Sequence, residues 1–290
     1  MLTLRHLLAA TTGLALLATA SNAHATAYAY ANINFSNLSL SGLQAPGVTV
    51  NSANVTTRDS AGYPGAAPVS NAAVANNPAN PLTAGSDVPQ ATSGPGPFPA
   101  QNTYTQALLS SFGARGDAQL TGNLITSVGT GANDVAEGRI TIPGTASSTA
   151  GTTTGFNVVV STTSTQTFTL AFNADDRVIA TTTNPGEISS AQVNASFTVT
   201  GDGFTTRTFS PDTLNTSITS TGGNPSTPIT NASMGYNFSV SLAPGTYQFS
   251  LLSGAQEQVT AAAAAVPEPA SMALLGAGLA AIGLMRRRRT

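Results

Sequence analysis

The sequence predicts an all-β chain, an antiparallel β-sandwich or jelly-roll-like domain, and three observations carry that prediction. Apolar residues alternate with polar ones at the strand period of two, most clearly at Phe168, Leu170 and Phe172 and at Val193, Ala195, Phe197 and Val199. Turn-forming clusters recur between such runs: Gly151, Asn173-Ala174-Asp175, Asn184-Pro185-Gly186, Gly201-Asp202-Gly203, Gly222-Gly223-Asn224-Pro225 and Ala243-Pro244-Gly245. Threonine, which suits a half-buried pleated surface, is abundant in stretches such as Thr152-Thr153-Thr154, without a repeat period. Short strands at this spacing fit a sandwich.

The elements follow in order. Residues 27–43 read as a strand through Tyr28, Tyr30, Ile33 and Phe35. The apolar parity then shifts at Leu38, which a bulge near Ser36-Asn37 explains. Residues 48–57 form a second strand through Val48, Val50 and Val55. From 60 to 100 the pattern collapses: eight of the seventeen prolines fall here among Ala, Gly, Ser and Asn. Proline at that density removes ladder donors, so a long flexible loop is expected. Thr103–Phe112 reads as one short helix, with Tyr104, Leu108 and Phe112 four residues apart. Strands are then expected near 117–128, 135–142, 154–160, 165–173, 176–183, 188–200, 203–209, 213–219, 233–242 and 245–252.

The two ends carry addresses. Arg5 precedes an apolar run from Leu7 to Ala20, followed by Ala23-His24-Ala25, a small-x-small cleavage site. Residues 1–25 therefore read as a secretory signal peptide, a signal helix removed after Ala25 by signal peptidase once the translocon has engaged it. At the other end stand Pro267-Glu268-Pro269, an uncharged apolar run from Ala270 to Met285, and Arg286, Arg287, Arg288 and Arg289. Sixteen residues make a helix of about 24 Å at 1.5 Å per residue. That is slightly short of a bilayer core of about 30 Å, and snorkelling arginines can make up the difference. The arginines are the membrane stop and stay cytoplasmic.

In all three parts, and in order, residues 266–290 resemble the PEP-CTERM sorting signal of Gram-negative bacteria. The resemblance implies a processing enzyme of the exosortase type acting near Pro267, Glu268 and Pro269. The transmembrane helix would then be a transient inner-membrane anchor, and the product would pass to the cell surface or extracellular matrix. Proteins bearing such signals are associated with extracellular polysaccharide and biofilm. The domain plan is accordingly a signal peptide at 1–25, a sandwich at 26–265 with its loop at 60–100, and a sorting signal at 266–290.

Composition narrows the chemistry. The chain has no cysteine and no lysine, and its two histidines, His6 and His24, lie in the leader. Residues 26–265 hold five arginines against eleven acids, a formal net charge of −6, the wrong sign for binding nucleic acid. Without His, Cys or Lys the exported segment cannot assemble a Ser-His-Asp triad, a Cys-His pair, a Ser-Lys dyad or a lysine Schiff base. His- or Cys-ligated zinc, copper or haem iron is excluded as well, and no cofactor is expected.

What remains is carboxylate chemistry through Asp134, Glu137, Asp175, Asp176 and Glu187, whose spacing selects no pair. Asp175-Asp176 and Asp202 read as turn caps rather than calcium ligands, since no Asp-rich loop of the EF-hand kind is present. The tyrosines lie mostly in strand segments and read as packing residues, and there is no tryptophan. Asn-x-Ser/Thr triplets, as at Asn37 and Asn237, arise by chance at this composition. Three readings follow: an exported noncatalytic surface or exopolysaccharide-matrix protein; a carbohydrate-binding or adhesive module on the same fold; and a carboxylate-only glycosidase.

Overall fold

The computed structural model describes residues 26–76, 86–108, 112–123, 130–141 and 146–261, together with Gly278. Among them run fourteen strands: β1 (Ala27–Ser41), β2 (Val48–Gly62), β3 (Val69–Asn76), β4 (Ser86–Asp87), β5 (Ala91–Gly96), β6 (Phe112–Thr121), β7 (Gly131–Ile140), β8 (Ala146–Thr162), β9 (Gln166–Thr182), β10 (Ile188–Gly201), β11 (Phe204–Phe209), β12 (Ser217–Thr221), β13 (Ile229–Leu242) and β14 (Gly245–Ala261). All lie within one compact unit, His24–Ala262. The described part of that unit contains no helix beyond a single 3-10 turn at Asp212–Leu214.

The strands form two antiparallel sheets. The first runs β13-β9-β1-β7-β6-β4, with β5 also on β6; the second runs β11-β10-β14-β8-β2-β3, with β12 also on β10. The sandwich core draws on the inner faces of both. One part is aromatic: Phe168 and Phe249 lie 4.9 Å apart, Phe35 and Phe172 5.2 Å, and Phe197 and Phe238 5.6 Å. Burying each such ring stabilises the fold by about 1.5–3 kcal/mol. Another part is built from small residues: Ala27, Ala29 and Ala31 on β1, Ala114 and Ala118 on β6, and Ala136 on β7, all fully buried. Here the sheets come together closely. A Cβ on Gly116 would stand 2.8 Å from the Ser60 carbonyl oxygen and 3.1 Å from that of Gly151, both on the opposite sheet.

The bulge inferred from parity is present. The β1–β9 register slips between Ser36 and Ser39, and Asn37 takes a left-handed φ of 54°. Ile33 and Phe35 before it, and Leu38 and Leu40 after it, are therefore all buried. The turns at 184–186 and 222–225 fall between strands, and those at 201–203 and 243–245 take in only the last residue of β10 and the first of β14.

Four expectations are corrected. The segment 60–100 is not one long loop: β2 continues to Gly62, and β3, β4 and β5 lie within it. Among the described residues its prolines are placed where no ladder donor is needed. Pro64 and Pro68 precede β3, Pro89 separates β4 from β5, and Pro95 sits at the register shift between Ser93 and Gly96. The expected helix at Thr103–Phe112 is absent from its described residues, since 101–108 are turn and extended chain and Phe112 opens β6. Gly151 lies inside β8, and Asn173-Ala174-Asp175 lies inside β9, so two expected strands are one of seventeen residues. Both neighbours of β9 bulge near this level, β1 after Ser36 and β13 between Asn231 and Met234.

The signal helix at 1–25 and, apart from Gly278, the transmembrane helix at 270–285, with Ala23, Ala25, Pro267, Glu268, Pro269 and Arg286 to Arg289, lie outside the described residues. Among those described, no helix is long and apolar enough to cross a membrane.

Candidate functional site

Acidic and hydroxylic side chains concentrate in three places, and strand alternation decides which. On β1 the residues Tyr28, Tyr30 and Asn32 face away from the sandwich core, as do Val135 and Glu137 on β7 and Arg115 and Asp117 on β6. This outer face is not exposed. The extended chain from Phe98 to Leu108 lies over it and forms a second apolar cluster with Tyr28, Tyr30, Val135 and Ile179.

An ion pair pins that strap. Arg115 donates from Nε to Glu137 Oε2 at 2.8 Å, and both side chains are fully buried. The same guanidinium donates to the carbonyls of Thr103 and Thr105, each at 2.6 Å. Glu137 Oε1 accepts from the Tyr28 hydroxyl at 2.7 Å, from Leu108 N–H at 2.9 Å and from Ala107 N–H at 3.0 Å. Burial, and then the Glu137 charge, pushes the Tyr28 phenol well above its ordinary range. The cluster therefore holds protein to protein.

The second concentration is inside the sandwich. Asp134, Ser253 and Thr154 come together there, the carboxylate accepting from the two hydroxyls at 2.7 and 2.9 Å. Burial raises the Asp134 carboxyl to about 6, and these hydroxyls oppose the rise. Glu257 on β14 is buried beside Ser148, whose hydroxyl donates to Oε1 at 3.3 Å, while Oε2 has no hydrogen-bond partner among the described residues. Desolvation, joined by the Glu137 charge, raises its carboxyl to about 8. Space for it exists because residue 138 is glycine: a Cβ there would overlap the Glu257 carboxylate.

The other acids named from the sequence are each engaged singly. Asp175 accepts from Asn34 Nδ2 at 3.1 Å and Asp176 from the Thr216 hydroxyl at 2.7 Å. Glu187 accepts from the N–H groups of Thr183 and Asn184 at 2.7 and 2.9 Å, closing the turn before β10. Asp134 and Glu137 share β7 but face opposite sides of the sheet. Among the described residues no group of three or more His, Cys, Asp or Glu is placed to hold a metal ion.

The third concentration is open. A groove of about 550 Å3 crosses the outer face of the second sheet. Pairing register builds it as two rows running across as many as five strands. Ser60, Gly151, Gln256, Gln192 and Ser217 are successive partners on β2, β8, β14, β10 and β12. Two residues away, Thr149, Gln258, Ser190 and Thr219 make the second row, on β8, β14, β10 and β12. Gln192 Nε2 donates to Gln256 Oε1 at 2.6 Å across the floor. The single ionisable residue among those lining the groove is Glu257, and its side chain is turned into the interior. Sequence inspection missed this site because the rows join residues nearly 200 positions apart; the nearest signal was the abundance of polar, uncharged side chains at alternating strand positions.

Residues 265–289 match the family model described as the PEP-CTERM protein-sorting motif. No curated protein and no solved structure matches the chain. The tail resemblance is thus shown for that segment. The motif implies an exported protein with a C-terminal membrane anchor before processing by exosortase, a membrane enzyme.

Proposed function

We propose that this chain is a noncatalytic surface protein, delivered through its C-terminal sorting signal to the cell surface or extracellular polysaccharide matrix of a Gram-negative bacterium. The observation that carries the reading is the sorting motif at 265–289, which begins just after β14, the last strand, ends at Ala261. Two further facts support it. Residues 26–265 contain no His, Cys or Lys. Asp134, Glu137 and Glu187 are each held by hydroxyls, N–H groups or Arg115.

The test is to produce the chain in hosts with and without an exosortase and to determine the mature C-terminus by mass spectrometry. The reading expects loss of the tail near Pro267-Glu268-Pro269 only where the enzyme is present. An intact tail retained in the inner membrane of both hosts would sink it.

A second reading, a carbohydrate-binding or adhesive module, is favoured by the open, uncharged groove on the second sheet. Glycan binding by the purified chain tests it.

A further inference from the structure

We infer that the groove across the second sheet binds a linear, uncharged glycan lying across the strands along its two rows. The inference rests on the carbohydrate-binding reading and adds the place and the class of sugar. Strands spaced about 4.8 Å apart make a five-strand row about 19 Å long, with the rows about 7 Å from each other. An elongated ligand laid across the strands thus meets polar side chains over most of its length. A ligand laid along a strand would leave the groove after a few residues.

The lining chemistry selects among ligands. Hydroxyls both donate and accept, and a glutamine amide supplies two donors and an acceptor, the same mixed capacity that sugar hydroxyls present. Among the described residues the side chains of Thr149, Ser217, Thr219 and Gln258 bond to no protein group, so their capacity faces the groove. An anionic polymer would find no cation among the lining residues; Arg58 lies one row beyond Ser60. An apolar ligand would strip water from these groups without replacing its hydrogen bonds, at about 1–3 kcal/mol for each group left unpaired. A protein partner would lack a large apolar or arginine anchor at the centre, where interface energy concentrates.

The depth of the groove has a cause within the fold. Gly116 on the first sheet lets the backbones of Ser60 and Gly151 sink toward it, and Gly151 itself adds no side chain to refill the hollow.

Affinity electrophoresis of the full chain in detergent tests the inference, using gels that contain hydroxyethylcellulose, pullulan or galactomannan as neutral polymers and alginate as the charged one. Three variants accompany it. A Cβ at position 151 would lie 3.5 Å from Ser60 Oγ and 3.8 Å from Gln256 Cγ, ordinary contact distances, so the floor has room for the Cβ of Gly151→Tyr, whose ring is directed into the groove. Gln256→Ala truncates an exposed amide, and Asn237→Ala removes a polar group from the outer face of the first sheet. Retardation by at least one neutral polymer is expected, weakened about tenfold or more by Gly151→Tyr and by Gln256→Ala and unchanged by Asn237→Ala, with melting temperatures near that of the parent chain. Retardation that survives both groove variants would leave the carbohydrate-binding reading standing and overturn the groove as its site. Retardation by alginate alone would overturn the neutral class. No retardation by any polymer would remove the reading and the inference together.

Discussion

Arg115 and Glu137 meet at 2.8 Å with neither side chain exposed, and between them they bond to four backbone groups of the strap that covers the outer face of the first sheet. The pair joins neighbouring strands β6 and β7 at register partners. It therefore ties the sheet to the strap as well as one charge to the other.

Breaking this pair on one side leaves an uncompensated buried charge. Arg115→Met is expected to cost about 3–5 kcal/mol, as is usual when one member of a buried pair is removed. Glu137→Gln should cost a comparable amount, because it leaves the Arg115 charge buried without its partner and sets the amide NH2 against either Arg115 Nε–H or the Tyr28 and strap donors. The double variant should fall short of the sum of the single losses, since its second change no longer exposes a lone charge. Urea melts of the four proteins decide it; an Arg115→Met chain within about 1 kcal/mol of the parent would show that the pair is not needed.

Glu257 makes stability depend on pH in a stated direction. Its carboxyl is raised from 4.5 to about 8 in the fold, chiefly by burial, so the fold favours the neutral acid. That contribution is complete below the unfolded value and declines as pH rises through the folded one. Asp134, raised to about 6, adds the same sign over a lower range. The melting temperature should therefore fall between about pH 5 and about pH 9. Glu257→Gln, neutral throughout, should flatten the upper part of that fall. A melting temperature that rises across this range would contradict the assignment.

Gly138 and Glu257 should prove coupled. A methyl group at position 138 would take the space of the carboxylate, so Gly138→Ala is expected to destabilise by about 1–3 kcal/mol, as overpacking commonly does. Shortening the partner with Glu257→Ala should recover part of that loss. Denaturant titration of the single and double variants measures the coupling, and strict additivity would disprove the contact.

Much of the fold could be read from the sequence because the buried face of a strand is written in apolar parity. Leu38 follows Phe35 at the wrong parity for a flat strand, and the β1 bulge is where that mismatch places it. Asn173-Ala174-Asp175 misled for the opposite reason. Its residues are good turn formers, but bulges in both neighbouring strands and partners such as Asn34 for Asp175 accommodate them within β9. Tyr104, Leu108 and Phe112 have helical spacing, yet the strap is held extended by Arg115 and Glu137, which no local pattern reveals. The sorting signal was legible because it is a contiguous segment. The groove was not, because Ser60, Gln192 and Gln256 become neighbours only through strand pairing.

Gly116 links the interior to the groove, and its replacement tests that link. A Cβ at this position would stand 2.8 Å from the Ser60 carbonyl oxygen, closer than a methyl group can approach, and backbone rather than a flexible side chain would have to yield. Gly116→Ala is therefore expected to cost about 1–3 kcal/mol. If the variant still folds, the second sheet must move outward beneath Ser60 and Gly151, making the groove shallower although no groove side chain has changed. Amide chemical shifts near residues 60 and 151 should then move while those of β11, distant from the contact, stay in place. A Gly116→Ala chain with parental stability and unmoved shifts at Ser60 and Gly151 would show that the sheets are not in tight contact there.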